Sequence, residues 1–219
     1  MRVMDFTHRI EPGMPVYPGT EPPRMAPANT YEKDGFRETL LTMYSHTGTH
    51  MDAPAHLFAD QPTLDALPAS QFVGPALVVD CTDAKEGTVL TMERLAPVRQ
   101  MADQAAFLLI RTGWDRYWGT PAYYGDYPVI GPDVVDYLIS SGKQGIGLDT
   151  IGVDAIRDAD LPIHRRLLST GRIVIIENLT GLAAAGDGLI TFCALPLHYC
   201  CADGAPVRAI GLAECGEHL

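Results

Sequence analysis

Short apolar runs alternate with amphipathic stretches along the chain from residue 73 onward. Four of these runs have the length and composition of buried strands, namely 76–79, 107–110, 146–148 and 173–176. Helical spacing of apolar residues marks three other stretches, namely 92–105, 132–140 and 162–169. Strands and helices that alternate in this way predict an α/β fold with a partly parallel sheet.

The first forty residues have a different pattern. Eight prolines and glycines lie between residues 9 and 30. Proline restricts φ and removes a backbone donor, so this density predicts an irregular surface arm over about 9–30. Residues 39–44 then have the composition of a strand. Because no internal repeat or linker interrupts the chain, we predict one domain over 1–219 that carries this arm.

A polar residue follows each of the four apolar runs: Asp80, Arg111, Asp149 and Glu177. In open α/β sheets, ligands bind outside the carboxyl ends of parallel strands. One hypothesis is therefore that these four side chains border a single crevice. The alternative is that each strand leaves the core at its end and meets water there.

The charge balance narrows the set of partners. Lys and Arg number 16 and Asp and Glu number 27, which gives a formal net charge of −11. An acidic protein is repelled by phosphate backbones and by anionic membrane surfaces, so we expect neither nucleic acid nor membrane as a partner. The longest uncharged stretch, 188–202, is too short to span a bilayer, and the first residues lack an apolar signal core.

Five cysteines occur without the spacing of a zinc knuckle or a redox motif: Cys81, Cys193, Cys200, Cys201 and Cys215. Their number is odd, and two of them are adjacent, which is a poor geometry for a mutual disulfide. We therefore expect free thiols and a cytoplasmic protein.

The densest chemical signal is the segment 45–56, Ser-His-Thr-Gly-Thr-His-Met-Asp-Ala-Pro-Ala-His. Imidazole and carboxylate ligands together suit zinc, manganese or iron(II). A straight strand would place His46 and His50 about 13 Å apart, too far to share an ion. We therefore predict a tight bend at Gly48, which is free to adopt positive φ. In an extended chain after the bend, His50 and Asp52 share one face.

Two further residues carry chemical expectations. Pro54 stiffens the chain before His56, which would hold this histidine near the metal without making it a ligand. A histidine placed there can serve as a general acid and base because its pKa lies near neutrality. Glu177 ends an apolar strand, where an ionised carboxylate is costly unless a cation pairs with it. That cation is either a metal ion or one of Arg165 and Arg172, and the sequence leaves both open.

The string His-Thr-Gly-Thr-His-Met-Asp-Ala-Pro-Ala-His at 46–56 resembles the signature of the metal-dependent cyclase family, which includes kynurenine formamidase and isatin hydrolase. Other segments resemble further blocks of that family, namely 5–8, 14–19, 111–114, 147–150, 177–179 and 203–208. The resemblance therefore covers nearly the whole chain. It implies a swivelling β/β/α-type α/β domain with a mixed, partly parallel sheet, assembled as a homodimer or homotetramer.

The same resemblance implies a set of ligands for divalent zinc or manganese. These are His46, His50 and Asp52 for a first ion and, for a second ion that shares Asp52, His164 and Glu177. One or two ions per chain are therefore expected. The resemblance also implies His56 as the catalytic acid–base residue.

These residues predict a metal-dependent hydrolase, and the resemblance implies a small amide as its substrate, either an N-formyl aryl amide or a cyclic amide. Metal-bound hydroxide would attack the carbonyl, and His56 would pass the proton to the leaving nitrogen. Tyr17, Phe36 and Phe58 are candidates for aromatic walls of the substrate pocket. Alternatives are a cyclase or dehydratase, a protein that binds a small anion without turnover, and a structural metal. The aromatic stretch 114–127 is either a lid or a subunit contact.

Overall fold

A computed structural model describes residues 1–214 of the chain, and Cys215 lies outside them. The strands, in chain order, are β1 (Arg2–Asp5), β2 (Arg24–Asn29), β3 (Glu38–Thr42), β4 (His50–Asp52), β5 (Val73–Asp80), β6 (Val89–Leu90), β7 (Phe107–Arg111), β8 (Val129–Ile130), β9 (Gly145–Leu148), β10 (Val174–Glu177), β11 (Leu189–Pro196) and β12 (Gly204–Ala213). The α-helices are α1 (Tyr31–Asp34), α2 (Arg99–Gln104), α3 (Pro132–Ser140) and α4 (Pro162–Leu168). Single 3₁₀ turns occupy connections at Pro54–His56, Leu64–Ala66, Ala69–Phe72, Met92–Arg94, Ala96–Val98, Trp114–Tyr117, Pro121–Tyr124 and Leu182–Ala185.

The main sheet is mixed and partly parallel, in agreement with the alternating pattern of the sequence. Its strand order is β1-β12-β11-β5-β7-β9-β10-β4, and the β12–β4 pairing closes seven of these strands into a barrel. The neighbours β5, β7, β9 and β10 run parallel, whereas the other pairs are antiparallel. Closure removes the edges of these seven strands, and β1 pairs with β12 outside the barrel. Closure also holds the short strand β4 between β10 and β12.

The residues before the last position of β7, β9 and β10, and residues 76–79 of β5, are apolar and buried because both faces of this part of the sheet are covered. Successive residues of β7 alternate between two hydrophobic clusters: Phe107 and Leu109 belong to one, and Leu108 and Ile110 belong to the other. The helices α2, α3 and α4 contribute to the second cluster. This cluster therefore lies between the helices and one face of the sheet.

Two predicted elements differ from the observed ones. The stretch 92–105 is interrupted, because Pro97 cannot continue a helix, and only Arg99–Gln104 is α-helical. The predicted irregular arm ends before Arg24, because residues 24–29 pair with β3 in a separate two-stranded hairpin. Pro27 is accommodated there beside a register shift, where the pairing is irregular.

The four residues at the strand ends do not border a single crevice. Of the four, Glu177 lines a cavity of about 560 Å³. Asp80 and Arg111 instead form a surface ion pair at 2.6 Å. The buried Asp149 carboxylate accepts hydrogen bonds from the backbone N–H and hydroxyl of Thr112 at 2.9 and 2.6 Å, so it stabilises the loop after β7.

The pH dependence of stability is expected to change in Asp149→Asn. Burial raises the pKa of Asp149 from an ordinary value of 3.8 to about 6, although hydrogen bonds from Thr112 oppose the shift. The folded state therefore holds this proton more tightly than the unfolded chain. Below about pH 4, the protonated Asp149 side chain makes its full contribution to the free energy of unfolding. That contribution falls by about 3 kcal/mol as the pH rises through about 6 and the side chain loses its proton.

Urea unfolding of both proteins across this pH range measures the effect. The free energy of unfolding of the wild type, minus that of Asp149→Asn, should fall by that amount as the pH rises. Other acids titrate equally in both proteins and cancel in the difference. A difference that stays level with pH would show that Asp149 ionises at its ordinary pKa.

None of the helices formed by residues 1–214 has the length and apolar character that a bilayer crossing requires.

Candidate metal centre

The segment 46–52 bends at Gly48, as its glycine predicts. Gly48 has a φ of +66°, and a Cβ there would lie 3.1 Å from the Met14 side chain, so both backbone and space favour glycine. The bend brings the ring centroids of His46 and His50 to 5.2 Å. A straight strand would have kept them far apart, and the motif therefore folds back on itself.

Three side chains of this segment form a first group of potential ligands. The Nδ1 atom of His46 lies 2.6 Å from Oδ1 of Asp52, and the Nε2 atom of His50 lies 3.3 Å from the same oxygen. One ligand atom from each of these residues lies within 4.8 Å of the other two. His50 and Asp52 face the same way because they are two residues apart in β4.

A second group shares Asp52 with the first. The Nε2 atom of His164 lies 3.5 Å from Oδ2 of Asp52 and 3.1 Å from Oε1 of Glu177. The antiparallel pairing of β4 with β10 places Glu177 opposite His50. The two oxygens of Asp52 therefore face different groups, which is the arrangement of a carboxylate that bridges two sites.

Each of the three histidines has one ring nitrogen that points away from Asp52, and that nitrogen has a hydrogen-bond partner of its own. The pairs are Nε2 of His46 with Asp203 at 3.1 Å, Nδ1 of His50 with the Gly48 carbonyl at 2.8 Å, and Nδ1 of His164 with Asp154 at 2.7 Å. Such partners orient metal-ligating histidines and select the tautomer whose other nitrogen is free to bind. Each imidazole is thus held with one nitrogen toward the shared carboxylate.

The two groups of potential ligands are largely buried, and together they contain two carboxylates. Asp52 is 1% exposed and Glu177 is 5% exposed, and within residues 1–214 no Lys or Arg forms an ion pair with either. Burial alone would raise the pKa of Asp52. The charge of His46 and the hydrogen bonds of the neighbouring histidines outweigh burial and hold that pKa well below its usual value.

The pKa values of His46 and His164 shift in the opposite direction to that of Asp52. Burial alone would lower their pKa values. For His46, the charge and hydrogen bonds of Asp52 and Asp203 outweigh burial and raise the pKa to about 9. For His164, hydrogen bonds with Asp154, Asp52 and Glu177 raise the pKa well above its ordinary value. The site thus attracts positive charge, and its imidazole and carboxylate donors suit a divalent cation.

A cavity of about 560 Å³ opens above both groups. His56 lines it from the 3₁₀ turn Pro54–His56, with its ring centroid 4.1 Å from that of His46 and 6.4 Å from that of His164. Burial, together with the charges of His46 and His164, lowers the pKa of His56, although Asp52 and Glu177 oppose the shift. His56 is therefore a neutral imidazole at neutral pH that faces the cavity.

Comparison with known proteins identifies the family. The Cyclase family model matches residues 4–155, which is more than half of the chain. This chain belongs to the cyclase family. A kynurenine formamidase from Salinibacter ruber (strain DSM 13855 / M31) is 32% identical over 216 residues, which cover 96% of this chain and 97% of that protein.

Solved structures agree with this assignment. Isatin hydrolase A from Labrenzia aggregata, bound to benzyl benzoate, superposes on this cyclase-family chain with a TM-score of 0.87 and 28% identity, covering 97% of this chain and 94% of the other. A potential metal-dependent hydrolase with cyclase activity has a TM-score of 0.78 and 27% identity, covering 96% of each chain. The relatives of this family member thus include a formamidase and metal-dependent hydrolases.

The predicted aromatic walls have different outcomes in this cyclase-family chain. Tyr17 lines the cavity. Phe58 does not, because it packs against the hydrophobic cluster between the helices and the sheet. Phe36 is 52% exposed in the hairpin that contains β2 and β3, away from the cavity of its own chain. The expectation that Phe36 and Phe58 line this cavity is therefore not met within one chain.

The aromatic stretch 114–127 contributes largely to a buried cluster. Trp114, Tyr123 and Tyr127 are almost fully buried and pack with Ile151, which also lines the cavity. The Tyr127 hydroxyl donates to the carbonyl of Asp154 at 2.6 Å. The buried residues of this stretch therefore pack inside the chain beside the cavity. Neither the prediction of a lid nor that of a subunit contact includes such packing.

The alternative of an arginine salt bridge for Glu177 is not realised. Arg165 donates to the carbonyl of Asp160, and Arg172 donates to that of Ile139. Glu177 instead accepts the backbone N–H of Val153 at 2.9 Å.

Sequence reasoning gave no role to three residues around the centre, namely Asp154, Asn178 and Asp203. All three line the cavity. Asp154 and Asp203 form hydrogen bonds with His164 and His46, candidate ligands that belong to other segments, so no local spacing marks them. Asn178 and Asp203 belong to the family blocks 177–179 and 203–208, and membership of a block does not by itself imply a role.

Proposed function

We propose that this chain is a metal-dependent amidohydrolase that cleaves a C–N bond in a small aryl formamide or cyclic amide. The observation that carries the proposal is the pair of ligand groups that share Asp52 beneath a cavity lined by a neutral His56. The kynurenine formamidase and isatin hydrolase relatives support an amide substrate. The proposal also places the aryl group of the substrate in this cavity, where Tyr17 is one of the lining residues.

The metal in this proposal is zinc or manganese, at one or two ions per chain. His46, His50 and Asp52 would hold one ion, and His164 and Glu177, with Asp52 shared, would hold the other. A bound divalent cation supplies Lewis acidity, which lowers the pKa of water and stabilises negative charge on a carbonyl oxygen.

The residues of the chain supply the remaining steps. His56 would accept a proton from the attacking water and deliver it to the leaving nitrogen of the amide, because burial lowers its pKa and favours the neutral form. Apolar side chains along the cavity, including Val16, Ile156 and Leu161, pack against the substrate and exclude water around it.

A cyclase or dehydratase is the second candidate, and one observation favours it. A relative that covers 96% of this chain is described as having cyclase activity. The same acid–base histidine and Lewis acid would serve ring closure. The difference lies in the products, since hydrolysis adds water to the substrate and ring closure or dehydration releases it.

A substrate panel with product analysis tests the proposed function. Metal-loaded protein is incubated with N-formylkynurenine, isatin and a set of formamides, lactams and hydroxy acids. The expected result is hydrolysis of at least one amide, loss of activity on chelation, and recovery when zinc or manganese is added. Release of water from a hydroxy acid, with no amide cleaved, would favour the second candidate. Recovery of every compound unchanged would favour a binding protein.

We also propose a homodimer or homotetramer that uses the hairpin of β2 and β3. Every residue of β3 and all but one of β2 are exposed, and α1 between them buries none. Leu40 is 58% exposed and Leu41 is 51% exposed. A lone two-stranded hairpin is only marginally stable in water, so a second copy of the chain that covers this face would stabilise it.

Light scattering after gel filtration tests the assembly. The double substitution Leu40→Glu and Leu41→Glu is expected to yield monomers, because buried carboxylates at an interface are costly. Leu197→Glu is the matched control, since Leu197 is 59% exposed elsewhere on the surface. A wild-type protein that is monomeric at all concentrations would contradict the proposal.

The remaining expectations extend the same proposal. Residues 1–219 form one catalytic domain of the swivelling β/β/α type that works in the cytoplasm. The free cysteines at 81, 193, 200 and 201 support a reducing compartment. The partner is a small-molecule substrate, and the acidic net charge supports the expectation of neither nucleic acid nor a membrane as a partner.

A further inference from the structure

Asn178 lies in an unusual backbone conformation next to a ligand candidate. It follows Glu177, the last residue of β10, and has a φ of +57°. Asparagine enters this left-handed region more readily than most residues. Its side chain is buried, and its backbone N–H donates to the carbonyl of Thr150 at 2.9 Å. The chain therefore turns sharply as it leaves the centre.

The side-chain amide of Asn178 joins two distant segments. Its Nδ2 atom donates to the carbonyl of Gly48 at 2.9 Å, and its Oδ1 atom accepts from the hydroxyl of Tyr123 at 2.7 Å. This orientation is determined by chemistry, because a carbonyl oxygen only accepts and so the NH₂ group must face Gly48. The phenol must then donate to the amide oxygen. In addition, the hydroxyl of Thr49 donates to the Asn178 carbonyl at 2.6 Å.

The Gly48 carbonyl has two donors, and the second belongs to a ligand candidate. His50 donates to it through Nδ1 at 2.8 Å. A carbonyl oxygen only accepts, so Nδ1 carries a proton, and in the neutral imidazole the lone pair is then at Nε2. That nitrogen lies 3.3 Å from Asp52 and 3.5 Å from Glu177. The orientation of the Gly48 carbonyl thus determines which nitrogen of His50 faces the centre.

We propose that Asn178 is a positioning residue that holds the Gly48 carbonyl toward Nδ1 of His50 and so presents Nε2 to the metal. The left-handed turn lets one residue reach back from the end of β10 to the bend of the ligand segment. Tyr123 holds the amide in the required orientation. The inference rests on the proposed function only where it treats His50 as a metal ligand, since the hydrogen bonds are independent of any activity.

Two substitutions of Asn178 separate this role from a general effect on folding. Asn178→Gly keeps the backbone free to adopt positive φ and removes both side-chain hydrogen bonds. Asn178→Asp keeps the size and the acceptor for Tyr123 but has no N–H for Gly48. Val78→Ala is the matched control, because it shortens a buried side chain of β5 that is remote from the centre.

The first measurement is the tautomer of His50 in metal-free protein at mildly alkaline pH, by long-range ¹H–¹⁵N correlation spectroscopy. The wild type and Val78→Ala should show the form protonated at Nδ1. Both Asn178 variants should populate the form protonated at Nε2 as well. The second measurement is zinc affinity by competition with a chromophoric chelator. Asn178→Gly is expected to bind zinc about 10- to 100-fold more weakly, and Val78→Ala should bind as the wild type does.

The outcomes separate cleanly. Unchanged tautomers and zinc affinity in both Asn178 variants would overturn the proposal. An equal loss of affinity in Val78→Ala would also overturn it, because lower stability alone would then explain the effect. Absence of both zinc and manganese binding in the wild type would contradict the proposed function instead, and the tautomer measurement would still decide the role of Asn178.

Discussion

Replacing His56 with alanine is expected to lower kcat about 10²- to 10⁴-fold, because the general acid and base would be lost. His56 faces the cavity as a neutral imidazole, and its ring centroid lies 4.1 Å from that of His46. It belongs to neither ligand group that shares Asp52, although it lies with His46 and Asp203 in a third cluster of potential ligands. Because the two groups at Asp52 are untouched, bound metal should remain at wild-type levels. Steady-state kinetics on the best amide substrate, together with elemental analysis of the purified variant, measures both effects.

His198→Ala is the control for this prediction, because His198 is exposed and lies outside the cavity. It should retain wild-type kcat and metal content. A His56→Ala variant with full turnover would remove the acid–base role. A variant that loses its metal together with its activity would instead assign His56 to the ligands.

Replacing Asp52 with alanine is expected to abolish the binding of both ions, since Asp52 is the one carboxylate that the two groups share. His164→Ala should remove the second ion and leave the first, because His46 and His50 are untouched. Metal-to-protein ratios from isothermal titration and elemental analysis would give these values. Loss of activity in Asp52→Ala should be as complete as in the chelated wild type.

Asp83→Ala provides a comparison at a carboxylate that is 70% exposed and paired with Arg94 on the surface. It should bind metal as the wild type does. If Asp52→Ala keeps one tightly bound ion, the shared-carboxylate arrangement is wrong. If wild type and His164→Ala both bind a single ion with equal affinity, the second group holds no metal.

The parallel half of the barrel could be predicted from local pattern, and the antiparallel half could not. Strands β5, β7, β9 and β10 each contain a short apolar run whose two faces are buried, so composition alone marks them. Strand β12 contains Gly204, Pro206, Arg208 and Gly211, which are poor strand signals in isolation. It forms because β1, β4 and β11 pair with it, and such long-range pairing is invisible in a local window.

The candidate site also has a part that local sequence predicts and a part that it does not. His46, His50 and Asp52 lie within seven positions around a glycine bend, so spacing and chemistry point to them together. Asp154 acts through a hydrogen bond to His164 on a different element, and no spacing rule anticipates that contact. Phe58 shows the converse limit, because an aromatic residue near a motif packs in the core as readily as it lines a cavity.

The three-residue strand β4 carries two ligand candidates and also closes the barrel. Its middle residue, Met51, is fully buried in the core, whereas His50 and Asp52 point to the centre. Side chains alternate along a strand, so deleting or inserting one residue here would turn the methionine toward the cavity and a ligand toward the core. This stretch should therefore tolerate no length variation, while insertions in the exposed connection 186–188 should be accepted.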